Sequence, residues 1–433
     1  MSKSAAAADE GSLRIALGQA VVPLESPWRF HTGDNRLWAE PSFDDSTWET
    51  VDLTAPAGAH DPDVGLEGYV PGWQARGHGG YFGFAWYRIR VSMRAPKGET
   101  LGLLAPFYVD SAYQVFLDGR LLGGAGDFSG RTPVAYNSHL PKLLRLPPSV
   151  EFGSPDSERS TLVAVRVWMG PWALGAPDAG GMHIAPALGT TQGVAFVYRF
   201  QWIEMIRGYI VDAVEALLFL LLAVMACSLI PFDRGDPAYV WLAAALILIA
   251  LRRANQAVFF WWQFETVHEF ELVTVVLLIP LTLAAWTLAW CTWLRLRDQA
   301  WMAVVVGALT LTYSGSEFSR GSWFYGVAPH WVGTVAHFGS TWTRFLFAGS
   351  TLWILLRGIR QSGSERWYAL PAILLISVGL FAQEWSMLHV PGVWFPFGTG
   401  VSRTQYAYAA FDAVLFVLLL RRLYALRQLP KVA

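Results

Sequence analysis

Cysteine and lysine are both scarce in this chain, and each scarcity excludes a class of protein. The two cysteines, Cys227 and Cys291, lie inside apolar runs, so a disulfide framework is not supported and we interpret both as core residues. No lysine occurs between Lys142 and Lys431, which excludes retinal photochemistry because its Schiff base requires a lysine. The formal net charge of −1 does not indicate a nucleic-acid partner, and none is expected.

Charged residues are also few. They make up 15% of the 433 residues, against 54% that are hydrophobic, and these averages hide two unlike halves. Residues 1–200 have the composition of a water-soluble domain. From residue 209 onward, apolar runs of about 17 to 25 residues alternate with short polar loops, a length that crosses a hydrocarbon core of about 30 Å. We predict seven spans, at residues 209–230, 239–254, 270–293, 301–315, 331–356, 367–384 and 404–420.

Arginine residues cluster at one end of alternate predicted spans. Those that follow spans three, five and seven are Arg295, Arg297, Arg357, Arg360, Arg366, Arg421, Arg422 and Arg427. Because short arginine-rich loops remain in the cytoplasm, we predict a cytoplasmic C-terminus and, with an odd number of spans, an extracytoplasmic N-terminal domain. Arg252 and Arg253, at the other end of span two, are exceptions to this rule.

The loops on the opposite side are aromatic instead of basic. Their tryptophans are Trp261, Trp262, Trp323 and Trp394. An interfacial belt, in which the rings lie at the level of the lipid headgroups, is one interpretation. The other is an apolar docking surface on which the N-terminal domain or a ligand rests, and we expect the domain to contact these loops directly.

Residues 28–168 show the pattern of an all-β domain. In "TLVAVRVW", at 161–168, valines on one face alternate with Arg166 and Trp168 on the other, as in a half-buried strand. In "YQVFLDGRLLGG", at 113–124, an Asp-Gly pair between two apolar runs supplies the positive φ angles of a tight hairpin. Strands at intervals of roughly ten residues, with glycine and proline turns, predict a sandwich or jelly roll.

Three segments of this half carry a resemblance to a known domain. They are "SPWRFHTGDNRLWAEPSFDDSTWETVDL" at 26–53, "YFGFAWYRIRV" at 81–91 and "FYVDSAYQVFLDGRLLG" at 107–123. In this order they resemble the galactose-binding-like jelly roll at the front of glycoside hydrolases of the β-galactosidase type. With the seven spans that follow, the whole chain resembles the bacterial seven-transmembrane receptors with diverse intracellular signalling modules, on architecture for the membrane half.

This resemblance implies a fold class and a division of the chain. The fold class is an all-β jelly-roll or β-sandwich extracytoplasmic domain followed by an all-α bundle of seven transmembrane helices. The divisions are an N-terminal tail at 1–24, the jelly roll at 25–170, a linker and juxtamembrane helix at 171–208, the bundle at 209–424 and a cytoplasmic tail at 425–433. The implied location is a bacterial inner membrane, which the chain crosses several times.

The resemblance also implies a sensor that binds a carbohydrate-like or other small-molecule ligand outside the cell. Receptors of this family continue into an intracellular output domain, for which residues 421–433 are too few. We therefore expect either a truncated chain or a separate cytoplasmic signalling partner docked on the basic tail. A membrane anchor that presents a sugar-binding module without signalling is the competing hypothesis.

Aromatic faces and a few polar groups are what a jelly roll uses to bind sugar. The candidates for ligand contact are Trp73, His78, Arg76, Trp38 and His31. Catalysis is not expected in this domain, because the adjacent residues Asp44 and Asp45 point in different directions and are more typical of a turn cap. No cofactor is expected.

Ionisable residues inside predicted spans are costly and therefore indicate a role. They are Asp212, Glu215, Arg344, Glu384 and Asp412. Arg344 and Asp412 fall at similar depths, so we predict that they face each other across the bundle. A structural ion pair and a switch that senses ligand are both compatible with this arrangement.

An intramembrane metal hydrolase is an alternative from a different class. His330, His337 and His389 with Glu384 all lie toward the outer face, and histidines with a carboxylate suit Zn²⁺. The sequence has no HExxH motif, however, so we do not predict a zinc site. A transporter built from inverted repeats would show two similar halves, and none are visible.

Overall fold

The computed structural model describes residues 12–16, 21–59, 67–94, 100–146, 159–175, 177–233, 235–262, 265–297, 299–321, 323–324, 329–360, 366–388, 390, 393 and 402–428. These residues form two compact units, and the chain passes from the first to the second between Met205 and Ile206. The first unit is built on β-sheets and the second on helices. The predicted change of fold class along the chain is therefore confirmed.

The first unit contains eleven strands among its described residues. They are β1 Ser12–Ala16, β2 Val21–Pro23, β3 Trp28–Thr32, β4 Glu49–Val51, β5 Gly83–Arg94, β6 Leu101–Leu104, β7 Ala112–Leu117, β8 Arg120–Ala125, β9 Leu143–Arg145, β10 Arg159–Met169 and β11 Ala187–Thr190. One sheet has seven strands, in the order β4-β3-β5-β10-β7-β8 with β1 beside β5. The other has the order β2-β11-β6-β9. All pairings are antiparallel except that of β1 with β5.

The alternation of side chains along the strands decides where the core lies. Val163, Val165 and Val167 of β10 are fully buried in one cluster with Leu103 of β6 and Leu188 of β11. That cluster takes residues from both sheets, so the two sheets pack face to face. The valine alternation predicted this face of β10, since successive side chains of a strand point to opposite sides.

The predicted hairpin is also present. β7 and β8 are joined at Asp118 and Gly119, whose φ angles are 48° and 84°. The Asp118 carboxylate accepts hydrogen bonds from the Leu162 amide at 2.8 Å and the Thr161 hydroxyl at 2.7 Å. The turn residue therefore also fastens the hairpin to the neighbouring strand.

The segment 171–208, predicted as a linker and juxtamembrane helix, contains regular structure in its described part. A short 3-10 helix covers Pro171–Gly175, and β11 pairs with both β2 and β6. The helix α1, Thr191–Leu229, then runs without interruption through the segment 198–208. Residues 198–208 and predicted span one therefore lie in one helix.

Eight helices occur among the described residues from Thr191 onward. They are α1 Thr191–Leu229, α2 Ala238–Trp261, α3 Val267–Trp293, α4 Gln299–Arg320, α5 His330–Ile359, α6 Arg366–Leu380, α7 Ala382–Met387 and α8 Arg403–Gln428. In α3 the stretch Glu271–Leu278 is a π-helix. Predicted span six is divided between α6 and α7, with Phe381 at the break. Three of these helices, α1, α2 and α3, are long and apolar enough to cross a membrane, and the count of seven spans stays a prediction.

Aromatic residues form the centre of the helical unit. Trp286 and Trp290 of α3 stack with ring centroids 5.7 Å apart, and Phe411 of α8 meets Trp286 edge to face at 5.3 Å. Cys291 is buried beside them, as predicted, whereas Cys227 on α1 is exposed. The interpretation of Cys227 as a core residue is therefore wrong, because an apolar run in a helix has a face that the bundle does not cover.

Candidate functional site

A cavity of about 250 Å³ lies in the β-sheet unit, beside β3 and β4. Its lining combines aromatic and polar side chains. The lining residues are Phe30, Glu49, Thr50, Val51, Asp52, Trp73, Arg76, His78 and Tyr87. Three of the five predicted ligand residues, Trp73, Arg76 and His78, are thus brought together in one site.

Trp73 and Arg76 lie on a short 3-10 helix, Trp73–Arg76, and His78 follows its C-cap. Gly77 ends it in the left-handed region, at φ 98°, which reverses the chain and lets His78 face the cavity. Trp73 is 1% exposed and forms the floor, with its Nε1 donating to the carbonyl of Tyr81 at 3.2 Å. Phe30 of β3 lies against it, with ring centroids 6.0 Å apart. Trp73 is therefore a core residue that bounds the cavity.

Polar groups form the rim of the cavity. Arg76 donates through Nη1 to the carbonyl of Asp52 and through Nε to the carbonyl of Pro71, both at 2.7 Å. His78 Nε2 lies 3.0 Å from Glu49 Oε2. The Thr54 hydrogen bond, assisted by the Arg76 charge, holds the pKa of the Asp52 carboxyl below its usual range. The rim therefore offers acceptors and donors at fixed positions around an apolar floor, which suits a small ligand bearing several hydroxyl groups.

Glu49 and Asp52 are the acidic cavity residues, and the sequence analysis did not select them. They lie in "ETVDL", at 49–53, directly after the FDDSTW turn, and β4 pairs Glu49 with Phe30 of β3. Acidic residues at the end of a strand are the only signal that Glu49 and Asp52 leave in the sequence. The pairing of β4 with β3 decides which loop the side chains of Glu49 and Asp52 face.

His31 and Trp38 lie elsewhere. His31 follows Phe30 on β3, and its ring lies 5.0 Å from Trp38 and 5.2 Å from Trp48. Because neighbouring residues of a strand point to opposite faces, Phe30 faces the cavity and the core while His31 faces away. The structure therefore does not bring His31 and Trp38 together with Trp73, and ligand contact by these two residues stays a prediction.

The face that carries His31 is held by an arginine that the sequence analysis did not select. Arg88 of β5 is fully buried, and its Nε lies 2.7 Å from Asp45 Oδ2. The guanidinium also lies over the rings of Phe43 and Trp48, at 5.3 and 5.7 Å. The expected cap is made by Asp44, whose Oδ1 accepts from the Ser46 amide at 3.0 Å. The FDDSTW turn, at 43–48, therefore has a structural role, which is to hold the buried Arg88 side chain.

In the helical unit, Arg253 of α2 lies between two acids of α1. Its Nη2 is 2.7 Å from Asp212 Oδ1 and 2.5 Å from Glu215 Oε2. Gln405 of α8 donates to Asp212 at 2.8 Å, and Tyr408 lies with its ring 5.1 Å from the guanidinium. All three charged residues are buried. The exception that Arg253 makes to the loop-charge rule has a physical reason, since its guanidinium is the counter-charge of two buried carboxylates.

A second ion pair in this unit joins Arg344 of α5 to Glu384 of α7. Arg344 Nη2 lies 2.6 Å from Glu384 Oε2 and also donates to the Leu380 carbonyl at 3.3 Å. Asp412 of α8 is buried, and both of its carboxylate oxygens are without a hydrogen-bond partner among the described residues. The predicted pairing of Arg344 with Asp412 is therefore wrong, because the turn at Phe381 places Glu384 within reach of the arginine.

Three of the four tryptophans of the predicted docking surface are described, and they lie at or just after helix ends. Trp261 and Trp262, at the end of α2, meet edge to face at 6.1 Å, and Trp262 is exposed. Trp323 packs against Phe318 of α4 at 5.3 Å. Trp394 lies outside the described residues. The docking of the β-sheet unit on these residues stays a prediction.

The residues of the alternative metal site lie only in part within the described chain. His337 is exposed on α5, and Glu384 is committed to Arg344. The side chain of His330 and the whole of His389 lie outside the described residues. Within the described part of the chain, no group of three or more His, Cys, Asp or Glu side chains could hold a metal ion.

The known proteins that this chain matches are all found among solved structures. No protein-family model matches this chain. No curated protein matches it. Solved structures that match include a β-glucuronidase from Bacteroides uniformis, at 18% identity over 39% of this chain and 17% of that one, with a TM-score of 0.27. A β-glycosidase from Bacteroides vulgatus matches at 20% identity over 39% of this chain and 20% of that one, with a TM-score of 0.25. The matched part of this chain is its N-terminal domain, and it spans about a fifth of the length of these structures.

Proposed function

We propose that this protein is a membrane sensor whose β-sheet unit binds a carbohydrate-like ligand in the cavity between β4 and the Trp73–Arg76 turn. The observation that supports the proposal is the rim itself. Two carboxylates, a guanidinium and an imidazole surround an aromatic floor in a volume of about 250 Å³. Carboxylates accept hydrogen bonds from sugar hydroxyls while Arg76 and His78 donate, and such charge-assisted bonds are the strong ones.

Signalling requires more than binding. The ligand must bind two states of the helical unit with unequal affinity, because a ligand that binds both equally shifts nothing. We propose that the bound state is passed through the transmembrane helices to a cytoplasmic output domain or partner. The ion pairs of Arg253 and Arg344 are the elements whose rearrangement would distinguish two packings, since each joins helices through a buried charge.

The binding step is tested on the full chain in lipid nanodiscs with a panel of neutral mono- and disaccharides. Loss of the Glu49 charge in Glu49→Gln removes one charge-assisted bond, which lowers affinity by about tenfold or more. Glu40→Gln, which changes an exposed carboxylate away from the cavity, is the matched control and leaves affinity unchanged. Equal affinity for both variants, or no sugar binding at all, overturns the cavity as the ligand site.

The relay step needs a separate readout. Hydrogen exchange of the helical amides, measured with and without a sugar that binds, changes in the helical unit if the protein is a sensor. Binding without any change there favours the competing hypothesis of an anchor that presents a sugar-binding module.

A further inference from the structure

A small polar pocket lies inside the helical unit, where α1, α2, α6 and α7 meet the beginning of α8. Its volume is about 20 Å³. The polar groups of its described lining include Asp212 of α1, Arg252 and Arg253 of α2, and Ser402 and Thr404 at the start of α8. None of these residues lines the sugar cavity of the β-sheet unit.

Arg252 is the guanidinium of this pocket that has no acid partner. It is partly buried, and within the described part of the chain it forms no salt bridge and no side-chain hydrogen bond. Its neighbour Arg253, in contrast, pairs with Asp212 and Glu215. The charges that act on Arg252 include Arg253 and Arg344, which have the same sign. Because a cation inside a helical bundle is costly without a counter-charge, the position of Arg252 favours an anion in the pocket.

The charges of the described lining set the valence of that anion. Two guanidiniums, Arg252 and Arg253, stand against one carboxylate, Asp212, which gives a net formal charge of +1. Asp212 Oδ1 already accepts from Gln405 at 2.8 Å and lies 2.7 Å from Arg253 Nη2. Its Oδ2 has no hydrogen-bond partner among the described residues and therefore opposes an anion. A single negative charge balances this lining, whereas a dianion would leave it negative.

Neutral donors complete the pocket. Ser402 Oγ and Thr404 Oγ1 lie 2.8 Å apart, so one hydroxyl proton is used between them and the other stays available to an acceptor. Ser402 Oγ also accepts from the Gln405 amide at 3.2 Å, which fixes the hydroxyl pair at the beginning of α8. The first amides of a helix have no intrahelical acceptor and carry partial positive charge. The start of α8 therefore adds to the attraction that Arg252 exerts on an anion.

The volume of the pocket limits the size of its ligand. A single water needs about 10 to 15 Å³ of such space. A pocket of about 20 Å³ therefore admits one ion of roughly the size of a water molecule. A phosphate group, a lipid headgroup or a sugar has several non-hydrogen atoms that would have to enter together, so the volume excludes them.

We propose that this pocket binds one monovalent anion of the size of chloride, with Arg252 as its counter-charge. The bound anion joins α2 to the beginning of α8 through Arg252 and the hydroxyls of Ser402 and Thr404. Binding to the folded state alone raises the stability of the helical unit as the anion concentration rises. This site goes beyond the proposed sensor function and does not depend on sugar binding.

Thermal unfolding of the full chain in detergent tests the site. Sodium chloride or sodium bromide replaces sodium gluconate at constant ionic strength, because gluconate is too large for the pocket. The unfolding midpoint of the wild type rises by several degrees with either halide. Arg252→Gln abolishes this rise, whereas Arg360→Gln, which changes an exposed arginine at the end of α5, keeps it. No rise in the wild type, or an equal rise in Arg252→Gln, overturns the proposal.

Two further variants separate charge from space. Arg252→Lys keeps the positive charge and therefore keeps part of the halide-dependent rise. Ala382→Val adds two methyl groups to the wall of the pocket and abolishes the rise without removing a charge, so it also serves if Arg252→Gln does not fold. An unaltered rise in Ala382→Val overturns the pocket as the binding site.

Sulfate tests the size and the valence of the ligand. Sodium sulfate at the same ionic strength gives no rise that depends on Arg252, because a dianion with five non-hydrogen atoms fits neither the charge nor the volume of the pocket. A rise as large as that with chloride, and equally sensitive to Arg252→Gln, overturns the assignment to a small monovalent anion. Sugar affinity, measured on the same variants, is unchanged, so a failure here is distinguishable from a failure of the sugar site.

Discussion

Arg344, which is buried, and Glu384, which is partly buried, form an ion pair with two contacts. Nη2 of the arginine lies 2.6 Å from Oε2 of the glutamate, and its Nε donates to Oε1. The two residues are 40 positions apart and lie on α5 and α7. The pair therefore joins two elements of the helical unit through charges that are largely removed from water, with side chains 6% and 13% exposed.

Breaking this pair is expected to destabilise the helical unit strongly. Arg344→Gln leaves the partly buried Glu384 carboxylate without its counter-charge, which costs about 3 to 5 kcal/mol. The double variant Arg344→Leu, Glu384→Leu recovers most of that loss, because it removes both buried charges together. Thermal unfolding in detergent is the measurement, with Arg360→Gln, at an exposed helix end, as the control. A double variant as unstable as the single one contradicts the prediction.

Asp412 and Asp212 are expected to respond in opposite ways to the same substitution. Asp212→Asn weakens contacts with Arg253 and Gln405 and lowers stability by about 1 to 3 kcal/mol. Asp412→Asn replaces a carboxylate that has no hydrogen-bond partner among the described residues, so stability is unchanged or rises. The unfolding midpoints of the two variants, measured side by side, test this difference in stability. Equal losses would show that Asp412 has a partner.

The two aspartates of the FDDSTW turn are also predicted to differ. Asp45→Asn leaves the fully buried Arg88 without its counter-charge, at a cost of about 3 to 5 kcal/mol. Asp44→Asn weakens only the turn cap on the Ser46 amide, at a cost of about 1 kcal/mol. Denaturant unfolding followed by tryptophan fluorescence distinguishes the two, since Trp38 and Trp48 surround this turn. A larger loss of stability in Asp44→Asn than in Asp45→Asn would mean that the cap on the Ser46 amide, and not the ion pair with Arg88, contributes most to the stability of this turn.

A buried histidine predicts how the β-sheet unit responds to pH. His183 is fully buried, with Nε2 2.9 Å from Asp110 Oδ2 and Nδ1 2.9 Å from the Val70 carbonyl. Burial alone would lower the pKa of His183, but the Asp110 carboxylate raises it above 6.5. For Asp110, burial acts to raise the pKa and the hydrogen bond from His183 lowers it below 3.8.

The raised pKa of His183 and the lowered pKa of Asp110 give opposite dependences of stability on pH. The raised pKa of His183 contributes stability that is fully present below pH 6.5 and is lost as the pH rises through the folded-state pKa. The lowered pKa of Asp110 contributes stability that is present above pH 3.8 and is lost as the pH falls through its folded-state value. Stability from this pair is therefore greatest between about pH 4 and 6.5. Unfolding midpoints of the wild type should fall from pH 6 to pH 9 relative to His183→Gln, and parallel profiles would contradict the prediction.

Local patterns in the sequence were sufficient to predict the two kinds of unit. Alternating valines identify β10, Asp118 and Gly119 identify the hairpin between β7 and β8, and apolar runs identify the long helices α1, α2 and α3. Each of these features depends on backbone geometry within a few residues, so its signal is present in a short stretch of chain.

Only the tertiary structure decided which charged and polar groups meet. Arg253 joins Asp212 of another helix, and Glu384 takes the arginine predicted for Asp412. The cavity forms because β4 pairs with β3 and brings Glu49 to His78, while the alternation along β3 turns His31 to the opposite face. Such contacts join residues that are distant in sequence, because sheet register and helix packing decide which side chains meet. Opposite charges attract each other whatever their separation along the chain. The amino-acid order therefore supplies the candidate partners, whereas folding selects the pair.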